Sequence, residues 1–295
     1  MSEPGIVARL TEERRRFHAE LLASNVLHFR DNGNANVSDG GNRTSVALGD
    51  GFLRALEARV WPERIAPQTG GYEFEKVVEA FVLRALKVLD IFGGREFSTR
   101  RRKDITDYHQ YRPIAPETLT ELEFDALRHA FGGDYVVTPD ILVERRALSR
   151  EELNARGFVV DGVFGELAAL RAAKGLILHA SISCKQTIRS DRSQNSRLEA
   201  LNLLRMRTGR APHIVVVTSE PLPSRIGSIA IGTGDLDCTY HVALPELLET
   251  MATHLKACEG QPGQKARKKQ ESDLKMMVKN GRLKDIADLP LDLLL

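Results

Sequence analysis

The sequence predicts an α/β protein with a central mixed β-sheet flanked by helices. Two observations support this fold class. Stretches with apolar residues at helical spacing, clearest over residues 71–90, alternate with short continuous apolar segments, clearest over residues 213–218. The first pattern is typical of amphipathic helices, and the second is typical of buried strands. Their alternation along one chain favours a sheet with helices packed against it.

The individual elements are predicted from apolar periodicity together with capping and turn signals. Helices are predicted at residues 11–24, 49–59, 71–90, 117–131, 165–173 and 244–255, with further helices beginning at the Ser149 capping box and at Ser190. Strands are predicted at residues 135–143, with Pro139 inside, and at 176–185, 213–218, 226–231 and 239–242.

Several segments lack periodicity and are predicted to be loops. Residues 31–50 are rich in Asn, Asp and Gly, and a loop of this length is uncommon unless it binds something. Residues 95–120 are expected to be irregular, with the basic cluster 100–103 either a solvated turn or a phosphate contact. Residues 260–272 are expected to form a flexible basic loop. The tail over residues 274–295 is amphipathic, and its apolar end, residues 289–295, is expected to pack on the core or on a partner chain.

The composition is that of a globular chain that can bury a core without disulfides. Of 295 residues, 42% are hydrophobic and 28% charged, and the formal net charge is +2. Three scattered cysteines without metal-binding spacing predict reduced thiols in a cytoplasmic protein. No apolar run approaches the roughly 18 residues of a membrane span, so we expect no membrane partner. We expect one domain over residues 1–295, with a catalytic core at about 71–245, an N-terminal arm at 1–70 and a C-terminal segment at 246–295.

Four charged residues are candidates for metal-dependent phosphodiester hydrolysis. Asp140 lies at a strand interruption, Lys185 ends a strand, and Glu75 and Glu199 lie on predicted helices. Carboxylates can hold a divalent metal that activates water, and Mg²⁺ prefers oxygen ligands. Taken singly, Asp140 is typical of a turn and Lys185 of a solvated strand edge. Adjacent strands would bring both residues to one sheet edge, which favours a catalytic site.

Three further residues are candidates for contacts with DNA bases. Arg189, Asp191 and Arg192 surround the start of the predicted helix at Ser190. Arginine fits the guanine edge with two hydrogen bonds, and a carboxylate accepts from cytosine in the major groove. The alternative is structural, because an acid in the first turn also stabilises the helix dipole.

All of these candidate residues except Glu199 lie in blocks that resemble the CCGG-cutting type II restriction endonucleases. The matching blocks cover residues 68–75, 138–141, 179–185, 187–192, 212–218, 223–226 and 282–293. The similarity extends over nearly the whole chain, is most specific around 179–199 and is weak in 90–133 and 145–175. It implies the PD-(D/E)xK restriction-endonuclease-like core.

By this resemblance, Asp140 and Lys185 would be the Asp and Lys of the catalytic motif. Ser183 would occupy the place of the usual second acid, and Glu199 from the following helix would supply that acid. Glu75 would complete the catalytic set.

The resemblance also implies two Mg²⁺ ions in each active site. Asp140 and the backbone carbonyl of Cys184 would be direct ligands, Glu199 would belong to the metal site, and Glu75 would reach metal through water.

The implied DNA contacts extend beyond the inner CCGG pairs, which Arg189, Asp191 and Arg192 would read. Asp39 and Arg225 would read the outer G·C pair.

Gln68 would touch the minor groove. Two residues depart from the family pattern: Gly41 replaces an expected serine, which puts one groove contact in doubt, and Gln186 replaces an expected tryptophan, which should alter packing only.

The function implied is Mg²⁺-dependent cleavage of double-stranded DNA at GCCGGC after the first G, leaving 5′ CCGG overhangs. The partner state implied is a homotetramer that binds two duplexes. Three alternatives remain open: a sequence-specific DNA-binding protein without cleavage, a family endonuclease with a different outer base pair, and a metal-dependent hydrolase of another substrate.

Overall fold

The computed structural model describes residues 7–63, 66–89, 96–112, 120–131, 137–161, 176–232 and 234–295. The strands are β1 (Phe97–Arg101), β2 (Ile141–Arg146), β3 (Leu176–Lys185), β4 (His213–Thr218), β5 (Cys238–His241) and β6 (Leu283–Asp285). The α-helices in these ranges are α1 (Arg9–Ala23), α2 (Arg43–Ala55), α3 (Pro67–Leu89), α4 (Glu121–Phe131), α5 (Arg150–Leu153), α6 (Ser190–Met206), α7 (Pro223–Ala230), α8 (Leu244–Ala257), α9 (Gln264–Lys279) and α10 (Leu289–Asp292).

The six strands form one mixed sheet in the order β1-β2-β3-β4-β5-β6. The β1-β2 and β2-β3 pairs are antiparallel, whereas β3 to β6 run parallel. Since β2 and β3 are antiparallel neighbours, the beginning of β2 lies beside the end of β3. The predicted α/β class with a central mixed sheet is confirmed.

Alternation along the central strands divides the core between the two faces of the sheet. In β4, Val215 and Val217 join the larger cluster with α2 and α3, whereas Ile214 joins a second cluster with α6. In β2, Ile141 and Val143 share the first face, and Leu142 lies on the second. Both faces are covered, which explains why β4 appears in the sequence as a continuous apolar run.

Two predictions were wrong in the C-terminal half. Residues 226–231 are not a strand, because Ile226, Ile229 and Ala230 are buried at helical spacing on α7, which begins with Pro223. Residues 260–272 are not a loop, because α9 begins at Gln264. This helix buries only a narrow stripe, including Leu274 and Met277, so its many basic residues hid the helical pattern.

Three predictions were wrong in the N-terminal half. The polar loop is shorter than predicted, because α2 already begins at Arg43, where the Asn42 side chain accepts a hydrogen bond from Ser45 N. Residues 97–101 form strand β1 within the segment expected to be irregular. Strand β2 begins at Ile141, so Pro139 precedes it rather than interrupting it.

Other predictions agree with the structure or fall outside the described residues. The Ser149 capping box opens α5 as predicted. The apolar tail packs on the core of its own chain through Leu289 and Leu293, while Leu295 is exposed. The predicted helix at 165–173 lies outside the described residues. In the described part of the chain, no helix has the length and apolar character that crossing a membrane requires.

Candidate active site and DNA-facing cleft

The two residues expected at one sheet edge are in direct contact. Lys185 Nζ lies 2.9 Å from Asp140 Oδ2, which also accepts a hydrogen bond from Cys184 N at 2.7 Å. The antiparallel pairing of β2 with β3 produces this contact. Ile141 pairs with Ile182, and Asp140, the residue before Ile141, lies one step nearer to the end of β3. The helices predicted between these two strands favour a parallel crossover connection, which is wrong because the strands are antiparallel. The expected juxtaposition of Asp140 and Lys185 is correct.

Lys185 remains charged although it lies in a largely buried position. Burial opposes the charged form, but the Asp140 and Glu199 carboxylates together raise the pKa of the Lys185 ammonium above its usual value. Burial raises the pKa of Glu199, and Lys185 counteracts that shift. The pKa effects link all three groups, so Glu199 belongs to the same electrostatic site as the pair.

Ser183 lies two residues before the end of β3 and is buried. Its hydroxyl hydrogen-bonds to the Glu199 carboxylate and lies 3.4 Å from Ser196 Oγ on α6. Residues 183 and 185 are two apart on β3, so both side chains project toward the same face of the sheet. Ser183 thus holds the helix-borne acid beside the lysine.

Glu75 is buried on α3 and is held by an arginine. Arg102 donates from Nε and Nη2 to the two Glu75 carboxylate oxygens at 2.9 and 2.8 Å. Arg102 also has a left-handed backbone (φ 49°) and donates its N–H to the Asp140 carbonyl at 3.3 Å. This residue therefore contacts two of the three acids expected at the metal site, Glu75 and Asp140.

Three arginines of the basic cluster 100–103 form ion pairs within the chain. Arg100 pairs with Glu144, Arg101 with Glu79 and Arg102 with Glu75. Arg100 and Arg101 lie on strand β1, so this half of the cluster is not a turn, whereas a phosphate contact stays a prediction. The sequence offered no signal for the pairs, whose members are 22 to 44 residues apart.

The site lines a cleft of ≈ 850 Å³. Its walls include Glu75, Asp140, Cys184, Lys185 and Glu199. Among the described residues, no three His, Cys, Asp or Glu side chains converge closely enough to form a closed metal cage. Mg²⁺ does not require one, because it keeps several waters and binds through one or two carboxylates. The oxygen donors of this cleft therefore fit a hydrated hard cation.

An adjoining cleft of ≈ 800 Å³ collects residues expected to contact bases. It is lined by Asp39, Arg189, Arg225 and Arg30, among others. Arg225 Nη2 forms a short ion pair with Asp39 Oδ2, although the two residues are 186 positions apart. The backbone N–H of Gly41 also binds Asp39 Oδ1 at 3.1 Å, and these contacts lower the pKa of Asp39.

The remaining candidates lie around this surface. Arg189 is the N-cap of α6 and is exposed, while Asp191 and Arg192 lie in the first helical turn with side chains outside the described set. Gln68 is exposed in the first turn of α3. Gln186, which departs from the family pattern, donates to the Val26 carbonyl at 2.5 Å.

Three polar residues near these clefts escaped sequence reasoning. Arg30 donates to backbone carbonyls of the polar loop, Arg102 holds Glu75, and Glu220 is a fully buried acid. Only Glu220 had a detectable signal, since it lies two residues after the end of the apolar run of β4. Its partners could not be inferred from that position.

The mixed sheet, with an aspartate and a lysine meeting at one edge beside a helix-borne glutamate, defines a nuclease of the restriction-enzyme class. The chain belongs to the NgoMIV restriction enzyme family, whose sequence pattern matches residues 17–295. The Type II restriction enzyme NgoMIV of Neisseria gonorrhoeae is 43% identical over 291 residues, covering 96% of this chain and 98% of that protein. The chain is therefore a restriction endonuclease, and the expected family is confirmed.

Proposed function

We propose that the protein cleaves double-stranded DNA at GCCGGC after the first G, with Mg²⁺, and leaves 5′ CCGG overhangs. The observation that carries the catalytic part is the contact of Lys185 with Asp140 in a cleft that also contains Glu199. The 43% identical relative is a Type II restriction enzyme, which supports site-specific cleavage.

The catalytic residues divide the work between cation binding and water activation. Asp140 and the carbonyl of Cys184 are the direct ligands in this proposal, Glu199 completes the metal site, and Glu75 acts through water. Two Mg²⁺ ions per site would activate water and stabilise the leaving oxygen. Lys185 supplies positive charge beside the scissile phosphate and orients the attacking water.

In the same proposal, residues of the adjoining cleft determine which DNA sequence is cut. Arg189, with Asp191 and Arg192, contacts the inner CCGG pairs from the start of α6. Asp39 and Arg225 contact the outer G·C pair, and their mutual ion pair supports this assignment because it places one donor and one acceptor side by side. A guanidinium and a carboxylate are the groups that suit guanine and cytosine.

The remaining assignments concern Gln68 and the assembly. In this proposal, Gln68 contacts the minor groove of the DNA.

Residues 1–295 form one endonuclease domain, and this domain assembles as a homotetramer on two duplexes. The exposed tail residue Leu295 and the half-exposed Leu291 offer apolar surface for association. Sedimentation with and without duplex tests the assembly, and a monomer under both conditions would reject it.

Cleavage is tested by digesting a plasmid with several GCCGGC sites in Mg²⁺ and sequencing the ends. Fragments ending in 5′ CCGG are expected, and an uncut plasmid would reject the proposal. Ends at sites with another outer pair would reject only the outer G·C assignment.

Asp140→Ala is the variant that separates catalysis from binding. It removes a proposed metal ligand and the partner of Lys185, so cleavage should fall below about 10⁻³ of wild type while retention on a GCCGGC duplex persists. Equal loss of cleavage and binding would contradict the role given to Asp140. Arg101→Gln, at an ion pair with Glu79, is the matched control and should cut normally.

A further inference from the structure

Glu220 is a buried acid to which the cleavage chemistry assigns no role. It lies in the short connection between β4 and α7, and its exposed fraction is 0%. A carboxylate without access to water is costly to bury unless hydrogen bonds satisfy its oxygens. Its contacts therefore indicate what it does.

Both carboxylate oxygens accept hydrogen bonds from backbone N–H groups. Oε2 accepts from Ile188 N at 2.9 Å, and Oε1 accepts from Leu222 N at 3.1 Å. Ile188 directly precedes Arg189, and Leu222 is the N-cap of the helix that carries Arg225. One side chain thus binds the two backbone segments that present the inner and outer base contacts.

The neighbouring residue strengthens the same connection. Ser219 donates from its backbone N and its Oγ to the Gln186 carbonyl at 3.2 and 2.8 Å. Arg225 Nη1 also lies 3.9 Å from Glu220 Oε2, so the guanidinium is close to the same carboxylate. Several hydrogen bonds therefore join the loop after β3 to the loop after β4, next to the residues proposed to contact bases.

We propose that Glu220 is a positioning residue for sequence recognition, which sets the spacing between the inner-pair contact of Arg189 and the outer-pair contact of Arg225. The inference rests on the proposed function, because it assumes that these arginines contact bases. Two-hydrogen-bond contacts to base edges tolerate small displacements poorly. A single buried carboxylate that binds both supporting segments holds them in one register.

Glu220→Gln tests the proposal, because an amide has one acceptor oxygen and cannot accept from both Ile188 N and Leu222 N. Dissociation constants are measured with Ca²⁺ in place of Mg²⁺, on a GCCGGC duplex and on duplexes changed in the outer or in one inner pair. The preference for GCCGGC should fall about tenfold against both altered duplexes. Melting temperatures are recorded for every variant.

Glu144→Gln is the matched control, since Glu144 is also a buried acid (3% exposed) with three side-chain partners, Ser98, Arg100 and Tyr108. It should lower the melting temperature but leave the preference within about twofold of wild type. If Glu220→Gln does not fold, Ser219→Ala removes only the hydroxyl contact with Gln186 and should lower the preference about threefold.

The proposal is overturned if folded Glu220→Gln keeps the wild-type preference for GCCGGC, or if Glu144→Gln loses as much of that preference as Glu220→Gln does. If Glu220→Gln does not fold, the proposal is overturned when Ser219→Ala leaves the preference unchanged. Wild-type protein that does not prefer GCCGGC would overturn the proposed function itself, so the two failures are distinguishable.

Discussion

At the scale of single residues, the charges around the cleft are arranged in pairs. Asp140 binds Lys185, Glu75 binds Arg102, and Asp39 binds Arg225. Each pair places an acid against a cation near surface where a metal ion or a DNA base is expected. The pairs hold the acids in place and lower the repulsion among them.

The Arg102–Glu75 pair should show measurable coupling in a double-mutant cycle. Removing Arg102 leaves a buried carboxylate without its two strongest hydrogen bonds, so Arg102→Gln and Glu75→Gln together should cost less than their sum. The expected coupling is about 1 kcal/mol, because Arg102 is half-exposed and solvent screens the pair. Urea denaturation measures it.

The control for this cycle is the Arg146–Glu152 pair, which has similar two-bond geometry on the surface. Solvent screens both partners, so it should show no measurable coupling. Equal coupling in the two cycles would contradict a special role for burial.

Glu220 should also make stability depend on pH. Burial raises its pKa from 4.5 to about 7, so between these values the folded protein holds a proton that the unfolded chain has released. The stability from this residue is complete below about pH 4.5 and is lost as pH rises through 7, by about 3 kcal/mol in total. Glu220→Gln should remove that slope from denaturation measured across this range. An unchanged slope would refute the assignment.

At the scale of secondary structure, close packing depends on a few small residues. A Cβ added to Gly51 on α2 would lie 2.0 Å from Thr250 Cγ2 on α8, whereas a Cβ at Gly71 on α3 would meet nothing within 4 Å. The first glycine is required by the helix–helix contact. The second is tolerated on a helix that other residues stabilise.

Gly51→Ala should destabilise the protein by about 1–3 kcal/mol, because α2 and α8 must separate or Thr250 must move. Gly71→Ala should instead stabilise α3 by about 0.5–1 kcal/mol, since alanine favours helix over glycine. Thermal unfolding of both variants measures the difference in sign. If Gly51→Ala stabilised the protein, the space between α2 and α8 would be large enough for a methyl group, which contradicts this close contact.

At the scale of the whole molecule, Arg14 joins the two ends of the chain. It donates to both Glu246 oxygens at 2.9 and 2.7 Å and to Asp285 Oδ1 at 2.7 Å. Asp285 in turn accepts from Ala287 N and Leu244 N. One guanidinium on α1 therefore connects the first helix to α8 and to the end of β6.

Arg14→Ala should lower the free energy of unfolding by about 3 kcal/mol, because it leaves two largely buried carboxylates without their cation. Arg16→Ala, which removes only an exposed pair with Glu20 on the same helix, should cost at most about 0.5 kcal/mol. Chemical denaturation of the two variants compares them. Similar small losses would show that the ends of the chain contribute independently.

The sequence by itself determined the elements whose pattern is local. Hydrophobic periodicity predicts the α/β class and the strands that end at Lys185 and Thr218. It also predicts α3, although the helix begins four residues before the predicted start. The family followed from contiguous blocks such as residues 179–185. Patterns failed where apolar residues were few, as in α9, or where a helix of eight residues resembled a strand, as in α7.

Apart from the predicted meeting of Asp140 with Lys185, only the tertiary structure decided which polar groups contact each other. The hydrogen bonds from Arg102 to Glu75, from Arg225 to Asp39 and from Ile188 N to Glu220 join residues 27, 186 and 32 positions apart. Such contacts depend on the order of the strands in the sheet and on the direction in which each strand runs. No local pattern of residues encodes either property.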